Sequence, residues 1–189
     1  MEIKGFVETS LIDWDGKLCS VIFLAHCNLR CRWCQNAPLL LHPESLESID
    51  FQQILDFLSV NRVYIDGVCI TGGEPTLHPE LAELCEKIKK LRLKVKLDTN
   101  GSHPEILFEL LSRNLVDYIA MDIKAPFVTE KYSKACNFKF IEEMLAIFLE
   151  SIDLIAKAAP DYEFRTTVVP TVHSPRDIEQ ICKYAIKGA

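Results

Sequence analysis

Val68-Cys69-Ile70-Thr71-Gly72-Gly73 is a short apolar run closed by two glycines. It reads as a buried strand that stops where the glycines begin. Downstream, Leu81, Leu84, Cys85, Ile88 and Leu91 recur at helical period, so a helix is expected from about Pro79 to Arg92, with proline suited to its first turn. Leu93, Val95 and Leu97 then alternate with lysines as a further strand. Pro104 opens a helix carrying Ile106, Leu107, Leu110 and Leu111, and Tyr118-Ile119-Ala120-Met121 reads as the strand after it. Ile141, Met144, Leu145, Phe148, Ile152, Ile155 and Ala159 mark a longer helix stopped by Pro160. Phe164 to Val169 reads as strand, and Ser174-Pro175 begins a last helix with Ile178, Ile181, Cys182 and Ala185 on its apolar face. Upstream, Asp50 can cap a helix whose Phe51, Ile54, Leu55 and Leu58 share a face. Cys19 to Leu24, after the turn signal Asp15-Gly16, is another buried strand. Met1 to Gly16 carries Phe6, Val7, Leu11, Ile12 and Trp14 without a pattern that assigns an element. Strand and helix thus alternate five times, as parallel βαβ units do. With right-handed crossovers such units build an open doubly wound sheet or a barrel, and both bind ligands beyond the carboxyl ends of their strands.

Length and composition fit that reading. A chain of 189 residues is expected to form one domain, 1–189, with a sizeable core. A net charge of −6 argues against nucleic acid as a partner, because phosphate backbones need a basic face. No run approaches membrane-spanning length and the first residues lack the apolar core of a signal peptide, so a cytoplasmic location is expected. The eight cysteines do not indicate a disulfide scaffold, since a core this rich in Leu, Ile and Val needs no staples. Cys19, Cys69, Cys85, Cys136 and Cys182 read as reduced, four of them among apolar neighbours where free cysteine acts as a small hydrophobe.

The strand ends hold the chemistry. After the first strand, Cys27-Asn28-Leu29-Arg30-Cys31-Arg32-Trp33-Cys34 spaces three thiols so that one curled loop can bring them to a common centre. Thiolate is the soft ligand of iron–sulfur clusters and of zinc. A zinc knuckle would need a fourth ligand, for which His26 or His42 stands near. The later strands end in Gly72-Gly73-Glu74-Pro75-Thr76, in Asp98-Thr99-Asn100-Gly101, in Asp122-Ile123-Lys124 and around Arg165. Each alone has a plain reading as a turn, a surface ion pair or a satisfied arginine. Their collection on one rim does not.

These segments together resemble the radical S-adenosylmethionine (radical SAM) superfamily. CNLRCRWCQN is similar to its cluster motif, in which the aromatic residue before the third cysteine, Trp33, borders the adenine. GGEPT resembles the motif that holds the methionine amino group. DTNG and MDIK are similar to segments of glycyl-radical-enzyme activases. YIAMDIKAP with FRTTVVPT looks most like the activating proteins of anaerobic ribonucleoside-triphosphate reductase. The resemblance, over about Val21 to Ala185, implies a partial parallel (β/α) barrel. It implies a [4Fe-4S] cluster on Cys27, Cys31 and Cys34, with one iron left for S-adenosylmethionine. Implied cofactor contacts are Trp33, Gly72, Gly73, Glu74, Pro75, Asp98, Asn100, Lys124 and Arg165, with a monovalent cation near Asp98, Thr99, Met121 and Asp122. An external electron donor would drive cleavage to a 5′-deoxyadenosyl radical, which takes a hydrogen atom from a glycine of the partner enzyme. Two departures stand out: His26 occupies a position where the family often has glycine, and the alternation stops one strand short of the family's six. A chain truncated at its C-terminus is therefore expected, its last strand left as an unpaired edge. Rival readings are a radical SAM enzyme acting on a small molecule, resembling 7-carboxy-7-deazaguanine synthase, a non-catalytic zinc-binding module, and a simple electron carrier.

Overall fold

The computed structural model describes residues 1–187. Six strands form one sheet in chain order: β1 (Ile3–Ser10), β2 (Cys19–Leu24), β3 (Gly67–Gly72), β4 (Lys94–Thr99), β5 (Tyr118–Asp122) and β6 (Tyr162–Arg165). From β2 to β6 every neighbouring pair is parallel, as the alternation requires. The helices α1 (Ala37–Leu41) and α2 (Phe51–Asn61) follow β2, and α3 (Leu81–Lys90) and α4 (Pro104–Ser112) follow β3 and β4. α5 (Thr129–Cys136) and α6 (Glu142–Ala158) follow β5, and α7 (Pro175–Lys187) follows β6. The sheet is not closed: β1 and β6 each pair on one side among the described residues. The partial barrel is borne out.

Local chemistry explains most boundaries. Asp50 caps α2, its carboxylate accepting from Gln52 N at 2.9 Å. Pro104 sits in the first turn of α4, where a missing N–H costs nothing. Val68, Ile70, Val95, Leu97 and Ile119 are fully buried between the sheet and helices such as α3 and α4, whose Leu84, Ile88, Leu107 and Leu110 face them. Strands buried on both faces read as continuous apolar runs, which is why they stood out in the sequence.

Three differences from the expectation have physical causes. β1 pairs antiparallel with β2, and its middle residues are half-buried or exposed, so no alternation betrayed it. β6 spans residues 162–165 rather than 164–169, because its partner β5 ends at Asp122. The ladder finishes where Ile123 N donates to Arg165 O at 2.8 Å, and Thr166 then turns its hydroxyl onto Ile123 O. α5 was not expected at all. Its sequence is mostly polar, and only Tyr132, Ala135 and Cys136 form its buried stripe.

Candidate active site

The loop between β2 and α1 carries Cys27, Cys31 and Cys34, and it is sewn to the ends of the next two strands. Gly73 N donates to Leu24 O at 2.9 Å and Glu74 N to His26 O at 2.8 Å. Asn36 Nδ2 donates to Gly72 O at 2.8 Å. Asn28 donates to Ser102 Oγ at 2.8 Å and accepts from Asn100 Nδ2 at 2.9 Å. Arg30 N donates to Cys136 O at 3.0 Å, which ties the same loop to the end of α5. Such close backbone contact leaves no room for side chains. A Cβ on Gly73 would lie 1.7 Å from His26 O, and one on Gly72, whose φ is +117°, would lie 2.4 Å from Leu24 O. The two glycines are thus required by the protein's own backbone. His26 has φ +66°, the left-handed region that favours glycine. Its ring meets Glu2 at 3.2 Å and the His42 ring meets Glu44 at 3.5 Å, so each histidine offered for zinc has a carboxylate partner.

All this encloses a cleft of about 710 Å³ at the carboxyl ends of the strands. The three loop cysteines, Trp33, Gly72, Gly73, Glu74, Asp98, Thr99, Asn100, Asp122, Lys124 and Arg165 line it. Pro75 and Met121 lie behind its wall: both are buried, and Met121 packs under Gly101. Glu74 touches the cleft but turns its carboxylate inward. Oε1 accepts from Thr76 N at 3.1 Å, from Thr76 Oγ1 at 2.6 Å and from Thr99 Oγ1 at 2.7 Å, while Oε2 accepts from Asn100 N at 2.6 Å. Burial pushes this carboxyl up and the four donors pull against it, so Glu74 acts as a buried clasp between the ends of β3 and β4.

Charges of alternating sign climb one wall. Lys124 Nζ lies 2.9 Å from Asp122 Oδ2, and Arg165 Nε lies 3.0 Å from Asp122 Oδ1. Arg165 also reaches Asp98 Oδ2 at 3.3 Å and Glu163 at 3.8 Å, and Lys96 lies 3.3 Å from Glu163. Of these, two cations, Lys124 and Arg165, and two carboxylates, Asp98 and Asp122, line the cleft, and Lys96 and Glu163 extend the array outside its lining. Burial opposes charge on Lys124 and Arg165, but the carboxylates outweigh it and hold both protonated. Asp122 is held below its usual range by Lys124 and Arg165 despite burial, whereas burial lifts Asp98. Asp98 Oδ1 is buried without a hydrogen-bond partner, its nearest cation being Lys96 at 3.7 Å.

The thiols differ among themselves. Burial pushes Cys27 up to about 11, although Leu29 N donates to its sulfur at 3.4 Å. Cys31 falls to about 7, chiefly because Cys136 donates a hydrogen bond to it. Among the described residues no three His, Cys, Asp or Glu groups are gathered tightly enough to grip a single ion. Three unbridged thiols and an unused buried acceptor along one cleft fit a larger iron–sulfur group with a ligand beside it.

The model of the radical SAM superfamily matches residues 21–185. The chain belongs to the radical SAM superfamily of enzymes. Two Methanocaldococcus jannaschii proteins, both provisionally named glycyl-radical enzyme activating enzymes, are similar to it. One is 38% identical over 96% of this chain and 74% of its own length. The other is 30% identical over 84% of this chain and 59% of its own length. A solved structure of TYW1 with a lysine-pyruvate adduct bound shares the fold at a TM-score of 0.65 and 19% identity, over 90% of this chain and 61% of that one. The chain therefore spans less than two thirds of the second relative and of that structure.

Several residues of this radical SAM site were not singled out from sequence. Asn28 and Asn36 belong to the quoted motif, but their partners lie 74 and 36 residues away. His173 accepts from Val169 N at 3.0 Å through Nδ1 and contacts Lys124 O at 2.8 Å through Nε2, with its ring 5.6 Å from that of Trp33. Cys136 read as a core cysteine, and nothing in its local sequence connects it to Cys31.

Proposed function

We propose that this chain is the radical SAM portion of an activase that installs a glycyl radical in a partner enzyme, with anaerobic ribonucleoside-triphosphate reductase as the favoured partner. The observation that carries it is one cleft holding three free thiols, the Gly72-Gly73 turn and the Lys124–Asp122–Arg165 wall. Similarity to proteins named as activating enzymes supports the activase class, and the YIAMDIKAP and FRTTVVPT segments support the reductase. When bound, a [4Fe-4S] cluster and S-adenosylmethionine supply reductive cleavage of the sulfonium and a hydrogen-abstracting adenosyl radical. Cys27, Cys31 and Cys34 would ligate the cluster. Trp33, braced by His173, would border the adenine. A wall with equal numbers of cations and carboxylates suits the ammonium and carboxylate of a methionine moiety, which Lys124, Arg165 and Asp98 would orient. A monovalent cation beside Asp98 and Asp122 would have to share them with Arg165. The stitched loops lining the cleft would help keep water from a bound group.

The test is anaerobic. Reconstituted protein with dithionite and S-adenosylmethionine should yield 5′-deoxyadenosine, and addition of the reductase should produce a glycyl-radical electron paramagnetic resonance signal. Deoxyadenosine without that signal in any glycyl radical enzyme would move the chain to the small-molecule branch. An absence of deoxyadenosine would overturn the enzyme reading.

A further inference from the structure

His173 stands where three parts of the cleft's wall meet. It is buried, and it does not line the cleft itself. Its Nδ1 accepts from Val169 N at 3.0 Å, so Nε2 carries the ring's hydrogen and donates to Lys124 O at 2.8 Å. The ring meets the Trp33 indole edge to face, with centroids 5.6 Å apart and planes at 70°. Lys124 lies past the end of β5 and Val169 past the end of β6, so side chains rather than a ladder hold them. Lys124 N donates to the Tyr132 hydroxyl at 3.4 Å, and its carbonyl goes to His173. Val169 O accepts from His173 N at 2.8 Å, so one residue holds both backbone groups of Val169. The turn closed in this way anchors the connection from β6, whose Thr166 and Thr167 line the cleft. We infer that His173 is a positioning residue, one imidazole setting Lys124, Trp33 and the β6–α7 connection before a ligand enters.

The residue type follows from the three partners. Phenylalanine would keep a ring against Trp33 but leave Val169 N and Lys124 O without partners. Glutamine would keep a donor for Lys124 O and lose the ring. Histidine joins an acceptor, a donor and an aromatic edge in one short side chain. By holding Trp33 and the root of Lys124, His173 would prepare both ends of a site for S-adenosylmethionine, adenine at one and the charged group at the other. That consequence rests on the function proposed above; the placement of Trp33 by His173 does not.

Trp14 and Trp33 are the chain's two tryptophans, so Trp14→Phe leaves Trp33 emission readable alone. In metal-free protein of that background, His173→Ala should shift Trp33 emission to longer wavelength and increase its quenching by acrylamide. In anaerobically loaded protein, His173→Ala should raise KM for S-adenosylmethionine about tenfold in deoxyadenosine formation with kcat little changed, the mark of binding lost equally from ground and transition states. His173→Gln should recover most of that KM, because Lys124 O keeps a donor, while the quenching stays raised. Unaltered quenching in His173→Ala, or a lowered kcat with KM unmoved, would overturn the inference. If His173→Ala does not fold, His173→Gln decides by its quenching alone. Parent protein that makes no deoxyadenosine would defeat the function proposed above, and the quenching comparison would still decide whether His173 places Trp33.

Discussion

The two ends of one sheet hold the same residue types in opposite states. At the carboxyl ends, Cys27, Cys31 and Cys34 stand half-buried in an open cleft with Lys124 and Arg165. At the amino ends, the connection from β1 to β2 folds Trp14 over Cys19, Val21 and Cys69, packed by Phe23 and Tyr118. Lys96 is buried there too, donating to Asp13 O at 2.6 Å with its ammonium 5.2 Å from the Tyr118 ring. Burial lifts Cys69 far above the thiol range and Cys19 to about 11. A cysteine or lysine on this sheet becomes a ligand or a filler according to which end it occupies. The indole seals one end; loops stitched by polar contacts leave the other open.

The largest contrast is expected between two glycines. Gly73→Ala drives a Cβ into His26 O, and a loss of ~4 kcal/mol or more in urea unfolding is expected. Gly16→Ala, at the sealed end, meets nothing within 4 Å, and its positive φ alone should cost about 1 kcal/mol. Equal costs would break the distinction. Next is the clasp. Glu74→Ala strands four donors in the interior and should cost ~3 kcal/mol, with the loss of cluster loading following from the slackened loop.

The sequence made some of this legible and not the rest, for reasons tied to particular residues. Strands such as Val68–Thr71 announced themselves because both faces are buried, and Asp50 and Pro104 marked helix starts through chemistry confined to one turn. The cleft's lining was readable because motifs at successive strand ends must converge in a parallel fold. Glu74 was read as facing a ligand, yet its partners Thr99 and Asn100 lie on the next strand's loop. Cys136 was read as filler, because its meeting with Cys31 depends on a polar helix that no apolar stripe revealed. What depends on pairings across the chain stayed hidden.

Cysteine replacements sharpen the comparison further. Cys27→Ala, Cys31→Ala and Cys34→Ala should each lose bound iron with the fold retained. Cys69→Ala should keep iron and cost ~1 kcal/mol as a small buried cavity. The smallest effect is kinetic. In metal-free protein at pH 8, iodoacetamide should label Cys31, whose thiol is lowered to about 7 and is therefore mostly thiolate, before Cys27 at about 11. Lowering the pH below 7 should slow Cys31 labelling about tenfold for each unit, and Cys85, pushed up to about 12 by burial, should label after Cys27.

The most direct measurement is iron, acid-labile sulfide and zinc in the anaerobically reconstituted chain, beside a Cys19→Ala, Cys69→Ala double variant. Roughly four iron and four sulfide per chain in both proteins, with no zinc, is the expected result for a cubane held at the open end. Stoichiometric zinc, or iron that disappears with the sealed-end cysteines, would contradict it.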